Sequence, residues 1–209
     1  MQVARTFTAG FLLAALIVRC GKSDDRCTDW PTNTVFEPQE YLPIHPGSWW
    51  TYSAEDGSQV VKAVSADYVR HSFVMGACTT RAAKVPFWDG HPMYGYRYPA
   101  SERIGEPSVQ LVSLVKDEPR GTYWILDHWA GTMSFRRIIA RDTTILANGI
   151  AYDNVISVAQ GTGGSPFPGQ SALHEYRHYA KGIGLVRVDR VSLTDTVPAL
   201  ALQSYYIHP

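Results

Sequence analysis

Turn-forming clusters punctuate this chain at short intervals: Glu55-Asp56-Gly57, Trp88-Asp89-Gly90, Ala130-Gly131, Ala147-Asn148-Gly149 and Lys181-Gly182-Ile183-Gly184. Each favours chain reversal, because Gly and Asn reach positive φ cheaply and Asp bonds its own backbone. With 13 prolines and 17 glycines spread over 209 residues, no stretch carries a persuasive helical stripe. The intervals read as strands instead, over 49–53, 59–64, 68–74, 108–115, 122–126, 132–141, 143–146, 154–158, 175–180, 185–188 and 202–207. Short strands joined by such turns predict an all-β domain. A sheet of this size must twist, so the expected form is an antiparallel curled sheet, either an incomplete barrel or a two-layer sandwich, with little helix. Residues 85–107 and 160–170 are rich in Pro and Gly and read as loops, the first with a hairpin near 93–98. Trp50 and Tyr52 share one side of their strand and are expected in the core, and Gly182 and Gly184 are expected to shape a turn.

The first residues follow a different pattern. Met1-Gln2-Val3-Ala4-Arg5 is a positively charged start, and no charge follows from Thr6 to Val18. That is the layout of an export signal over residues 1–19. As a helix the uncharged run would rise about 20 Å, short of the roughly 30 Å hydrocarbon layer, so a permanent span is not expected. Lys+Arg and Asp+Glu balance at 19 each, and loss of Arg5 and Arg19 with the signal leaves a net charge of −2. No basic field remains to attract nucleic acid.

Leu16-Ile17-Val18-Arg19-Cys20 resembles the processing box of bacterial lipoproteins, although Arg19 stands where those proteins carry a small residue. The resemblance implies that Cys20 becomes the acylated first residue of the mature chain, with 20–40 as a polar tether and 41–209 as a single β-rich domain. More than one acyl chain gives stable membrane anchoring where a single chain is marginal. Secretion of a soluble form without lipid is the alternative. With Cys20 consumed, Cys27 and Cys78 remain of the three cysteines, in a compartment that permits a disulfide. Either they pair, or Cys78 is a small buried hydrophobe and Cys27 a free thiol.

Three further segments, Tyr41-Leu42-Pro43-Ile44-His45-Pro46-Gly47-Ser48-Trp49-Trp50-Thr51-Tyr52, Ala147 to Val158, and Tyr179-Ala180-Lys181-Gly182-Ile183-Gly184-Leu185-Val186-Arg187, are similar to segments of exported bacterial lipoproteins of unassigned function. What that similarity implies is β architecture; it transfers no binding residue.

One catalytic motif is present. His174-Glu175-Tyr176-Arg177-His178 satisfies H-E-x-x-H, which binds zinc when both histidines lie on one helical face. Four residues rise about 6 Å on a helix but about 13 Å on a strand, too far for one ion to reach both rings. The motif lies in the predicted hairpin around Gly182 and runs into its 175–180 strand, so no metal ligand is expected there. His45, His71, His91, His128 and His208 show no metal-like spacing. Ser165 lacks the nucleophile-elbow pattern, and Glu102, Glu106, Glu118, Asp127 and Asp153 are not paired by anything in the sequence. Arg136, Arg137 and Arg141 form a small basic cluster, read as a solvated strand face with phospholipid headgroups as the alternative.

The function these observations favour is a noncatalytic cell-envelope lipoprotein with no cofactor, outer-membrane anchored, whose domain binds an apolar or glycan ligand or an envelope protein. The aromatic residues Trp88, Tyr94, Tyr96, Tyr98, Trp124 and Trp129 would suit a ligand. A structural protein without a ligand and an HExxH zinc metalloprotease are the alternatives, in that order.

Overall fold

The computed structural model describes residues 35, 38, 40–73, 81–88, 91–92, 94–98, 101–106, 111–115, 119–129, 132–164 and 171–209. Residues 1–19, Cys20, Cys27, Cys78, Glu118 and Ser165 lie outside them.

Every regular element among the described residues is a strand. In chain order they are β1 (Trp49–Ala54), β2 (Gln59–Ala63), β3 (Val69–Phe73), β4 (Arg81–Val85), β5 (Phe87–Trp88), β6 (His91–Pro92), β7 (Tyr94–Tyr98), β8 (Ser101–Glu106), β9 (Leu111–Val115), β10 (Tyr123–Trp129), β11 (Thr132–Ala147), β12 (Ile150–Gly163), β13 (Ser171–Ala180), β14 (Gly184–Val191) and β15 (Thr196–Tyr206). Eight of them form one open antiparallel sheet in the order β10-β11-β12-β13-β14-β15-β1-β2. The pairs β3-β4 and β5-β6 and the triplet β7-β8-β9 form three small sheets. The expected all-β, curled antiparallel architecture is therefore the one observed, open rather than closed into a barrel.

The order explains how the first and last strands come together. Consecutive strands from β10 to β15 pair as neighbours, and β1 then joins the far edge of β15, Trp50 lying opposite Tyr205 and Tyr52 opposite Leu202. Trp50 and Tyr52 are almost wholly buried, with Ile138, Ile156, Val158, Tyr179, Leu185 and Leu202 in the same core cluster. Each ring also satisfies its polar atom: Trp50 Nε1 donates to the Ile183 carbonyl at 2.7 Å, and the Tyr52 hydroxyl to the Leu185 carbonyl at 2.9 Å. Pro198 sits in β15 opposite Asp189, beyond the reach of β1, so its missing N–H removes no bond on that side.

Several elements differ from the sequence expectation. Residues 132–146, read as two strands, form one 16-residue strand, because the break around Asp142 is absorbed by bulges. Asp142 and Asn154 both have positive φ there, +50° and +52°. Bulges of this kind bend a strand and strengthen its twist. The distal part of the β11-β12 hairpin accordingly turns onto β15 and β1: Asn148 at its tip donates through Nδ2 to the carbonyls of Ala201 (3.1 Å) and Leu202 (3.0 Å) and accepts at Oδ1 from Ser53 Oγ (3.2 Å). Residues 160–163, read as loop, extend β12, and Gly161 is needed there because a Cβ would lie 2.5 Å from the Ala172 carbonyl oxygen. The described residues of the 85–107 passage form four short strands rather than one hairpin in a loop. Gly182 and Gly184, with φ of +71° and +99°, bracket the β13-β14 turn.

Asn148 combines a left-handed backbone (φ +48°) with three side-chain bonds. Asn148→Ala should lower unfolding stability by about 1–2 kcal/mol in urea titrations. Asn148→Gly should recover only the backbone part, so near-equal stability of the Gly variant and the parent would refute the clasp.

Candidate functional site

The HExxH residues lie on β13 and do not converge. His174, at a register shift between β12 and β13, bonds Thr162 Oγ1 at 2.7 Å near the strand's start. Glu175 pairs with Arg177 on the same strand. His178 is buried near the other end. Extended geometry separates the two rings as the strand rise requires, and no group of three metal-ligating side chains occurs among the described residues.

His178 instead enters a cluster that the sequence reading did not anticipate. Ser157 on β12 lies directly opposite it on one side, and Arg187 on β14 directly opposite on the other. Directly opposed residues in a ladder share a face, so the three side chains stack across three strands. Ser157 Oγ is 2.8 Å from His178 Nδ1, and His178 Nε2 is 3.1 Å from Asp189 Oδ2. The second carboxylate oxygen of Asp189 accepts from Arg187 Nε at 2.6 Å. Arg187 Nη1 reaches on to the Leu146 carbonyl at 3.0 Å, which ties the cluster to the bent β11-β12 hairpin.

The proton positions follow from these contacts. A carboxylate only accepts, so Nε2 of the neutral ring carries the hydrogen toward Asp189. Nδ1 then has a free lone pair, and the Ser157 hydroxyl donates to it. Burial pulls the His178 pKa below the ordinary histidine value; the hydrogen bond and charge of Asp189 oppose that shift, and the Arg187 charge adds to it. The ring is thus held neutral as both acceptor and donor.

By connectivity this is a serine, histidine and carboxylate in series, the arrangement that activates a nucleophile. Its surroundings do not serve one. Ser157 is 2% exposed, and His178 and Asp189 are each 5% exposed. Ser157 lies in a strand paired on both sides, opposite Ala140 and His178, so its backbone is committed to the ladder rather than to an oxyanion. An open groove of about 400 Å³ lies elsewhere, lined by Ala172, Leu173, His174, Val191, Ser192 and Leu193. The buried cluster satisfies polar groups at the centre of the sheet and fixes the register of three strands.

Other expected site residues are dispersed. Arg136 corrects the solvated-face expectation: it is 4% exposed, and its Nε donates to Gln160 Oε1 at 2.9 Å across the β11-β12 ladder. A guanidinium so placed is not presented to headgroups. Asp153 accepts from Thr144 at 2.5 Å on the exposed hairpin. Trp124 is buried. His208 packs edge-on against Tyr206, with ring centroids 6.3 Å apart. Serine 157, Asp189 and Arg187 had one legible signal: a hairpin centred on Gly182 brings residue 178 opposite the stretch around 187.

No family model and no curated protein matches the chain. Two solved structures are similar to it. One is a Bacteroides fragilis protein described as exported and as having a YmcC-like fold, with 11% identity, a TM-score of 0.39 and coverage of 82% of this chain and 98% of that one. The other is a Parabacteroides distasonis protein described as a lipoprotein, with 13% identity, a TM-score of 0.36 and coverage of 84% and 100%. Likeness at this level transfers neither a residue role nor an activity.

A histidine held neutral by burial makes stability depend on pH in a definite direction. The unfolded chain binds the proton first, at the ordinary value of about 6.5, so the contribution is fully present above that pH and is lost as pH falls toward the depressed folded-state pKa. The melting temperature should therefore drop more between pH 7.5 and pH 5 in the parent than in His178→Gln. Parallel pH profiles for the two proteins would refute this assignment.

Proposed function

We propose that this protein is a noncatalytic, lipid-anchored component of the bacterial cell envelope, in which residues 41–209 form a single β-rich domain that works by contact. The observation that carries the noncatalytic reading is the enclosure of Ser157, His178 and Asp189, each at most 5% exposed. A nucleophile that neither substrate nor water reaches does not turn over. The extended course of β13, which holds His174 and His178 four residues apart along a strand, speaks against the zinc alternative.

Anchoring rests on the charged start, the uncharged run and Cys20, with the tether letting the domain stand off the bilayer. Among the described residues no helix is long and apolar enough to cross a membrane. The core side of the sheet is occupied by its own aromatic and aliphatic side chains, Trp50, Tyr52, Ile156 and Leu202 among them. We infer that contact with a ligand or partner is made on sheet surface outside this core.

Two measurements test the reading. Intact mass of the membrane-extracted protein should show loss of residues 1–19 and added acyl mass, and Cys20→Ser should move the protein to the soluble fraction. A fluorophosphonate probe applied to the native protein should leave Ser157 unlabelled. An adduct on Ser157 that disappears in His178→Ala would overturn the noncatalytic reading, and an unprocessed, unacylated mass would overturn the anchor.

A further inference from the structure

The far edge of the main sheet presents a surface of unusual composition. Trp49 on β1 lies opposite Tyr206 on β15 and Ala63 on β2; two residues on, Thr51 lies opposite Ser204 and Val61. Alternation puts these residues on the side away from Trp50 and Tyr52. Their exposure agrees: Trp49 is 37%, Tyr206 47% and Val61 58% exposed, against 2% or less for Trp50 and Tyr52. Gln59 and Gln203 border this row, joined by a bond from Gln59 Nε2 to Gln203 Oε1 at 3.1 Å.

Two features give the surface a specific chemistry. One of its rings is braced: Tyr206 meets His208 edge-on, and the His208 backbone N–H donates to Ser48 Oγ at 2.9 Å. Directly paired strands set the Trp49 and Tyr206 Cβ atoms about 5 Å apart, so the rings occupy neighbouring places on one platform. No register position on this face of β1, β2 or the adjoining end of β15 carries a charge; the residues beside the rings are Thr, Ser, Ala, Val and Gln.

We infer that this outer face of β15-β1-β2 binds a neutral glycan, with Trp49 and Tyr206 as stacking platforms and Gln59 and Gln203 as hydrogen-bond partners. The inference rests on the contact-acting role proposed above. Pyranose rings offer apolar C–H faces, which stack on aromatic rings, and equatorial hydroxyls, which both donate and accept. Primary amides match the hydroxyls in both roles, and the bond between Gln59 and Gln203 uses one donor and one acceptor of the pair, leaving the Gln203 NH₂ and the Gln59 carbonyl for a ligand. A purely apolar ligand would need a concave site to bury most of its surface. An anionic polymer or headgroup would need cations, which this face lacks.

The test is isothermal titration of the full detergent-extracted protein with cellohexaose and with maltohexaose, compared with Trp49→Ala, Tyr206→Ala and the double variant Gln59→Ala/Gln203→Ala. The expected result is saturable binding of at least one oligosaccharide, weakened ten-fold or more by each ring variant and several-fold by the double glutamine variant, with melting temperatures near the parent's. Absence of binding to both sugars, or affinity unchanged by Trp49→Ala, overturns the inference. So does a dimer in sedimentation that Trp49→Ala dissolves, since the face would then seat a second copy. Any of these failures leaves the anchored, noncatalytic reading standing, because that reading is decided by mass and by Ser157 labelling.

Discussion

An open sheet of eight strands has more surface than one layer can bury, and the bent β11-β12 hairpin is what reconciles the two. Its bend depends on residues that accept a left-handed backbone, Asp142 and Asn154, and its docking on the amide of Asn148. The register between β1 and β15 shifts between Thr51 and Tyr52, close to the two carbonyls that Asn148 meets. A bulge leaves backbone groups without ladder partners, and a side-chain amide from the folded hairpin supplies two donors at that place. Curl of the sheet, burial of Ala147 and Tyr152 in the core cluster, and contact of Arg187 with Leu146 all follow from the same bend.

The polar line from Ser157 to Arg187 shows how a β domain handles ionisable groups near its centre. Each acceptor of Asp189 has a donor, His178 uses both nitrogens, and Arg187 carries the charge balance outward to a half-exposed position. A buried carboxylate with fewer partners would be costly. Serial connectivity of serine, histidine and carboxylate is therefore not sufficient for catalysis; access and a site for developing charge decide.

The architecture was legible because it is local. Turn residues at Asp56-Gly57, Asn148-Gly149 and Gly182 to Gly184 mark reversals where the strands do reverse. Alternation separated Trp49 from Trp50 correctly, one exposed and one buried. What escaped was long-range or depended on bulges. Asp142 reads as a strand breaker, yet the strand passes through it because a bulge accommodates positive φ. Gly161 reads as loop, yet it is required by close approach of β13. Arg136 reads as solvated, yet register sets it beside Gln160 and under neighbouring side chains. Composition near a residue is visible in sequence, whereas its cross-strand neighbour is not until the register is known.

The two bonds from the rings of β1, Trp50 to Ile183 and Tyr52 to Leu185, each join residues 133 positions apart. Contacts of such separation cannot form until the chain between them has been laid out, which makes folding slow relative to a fold built from neighbouring turns. Before β15, the last strand, is available, β1 pairs only with its hairpin partner β2 and has no place in the main sheet. The core cluster therefore closes last, and a chain cut short before β15 would leave Trp50 and Tyr52 exposed on a two-stranded β1-β2 hairpin.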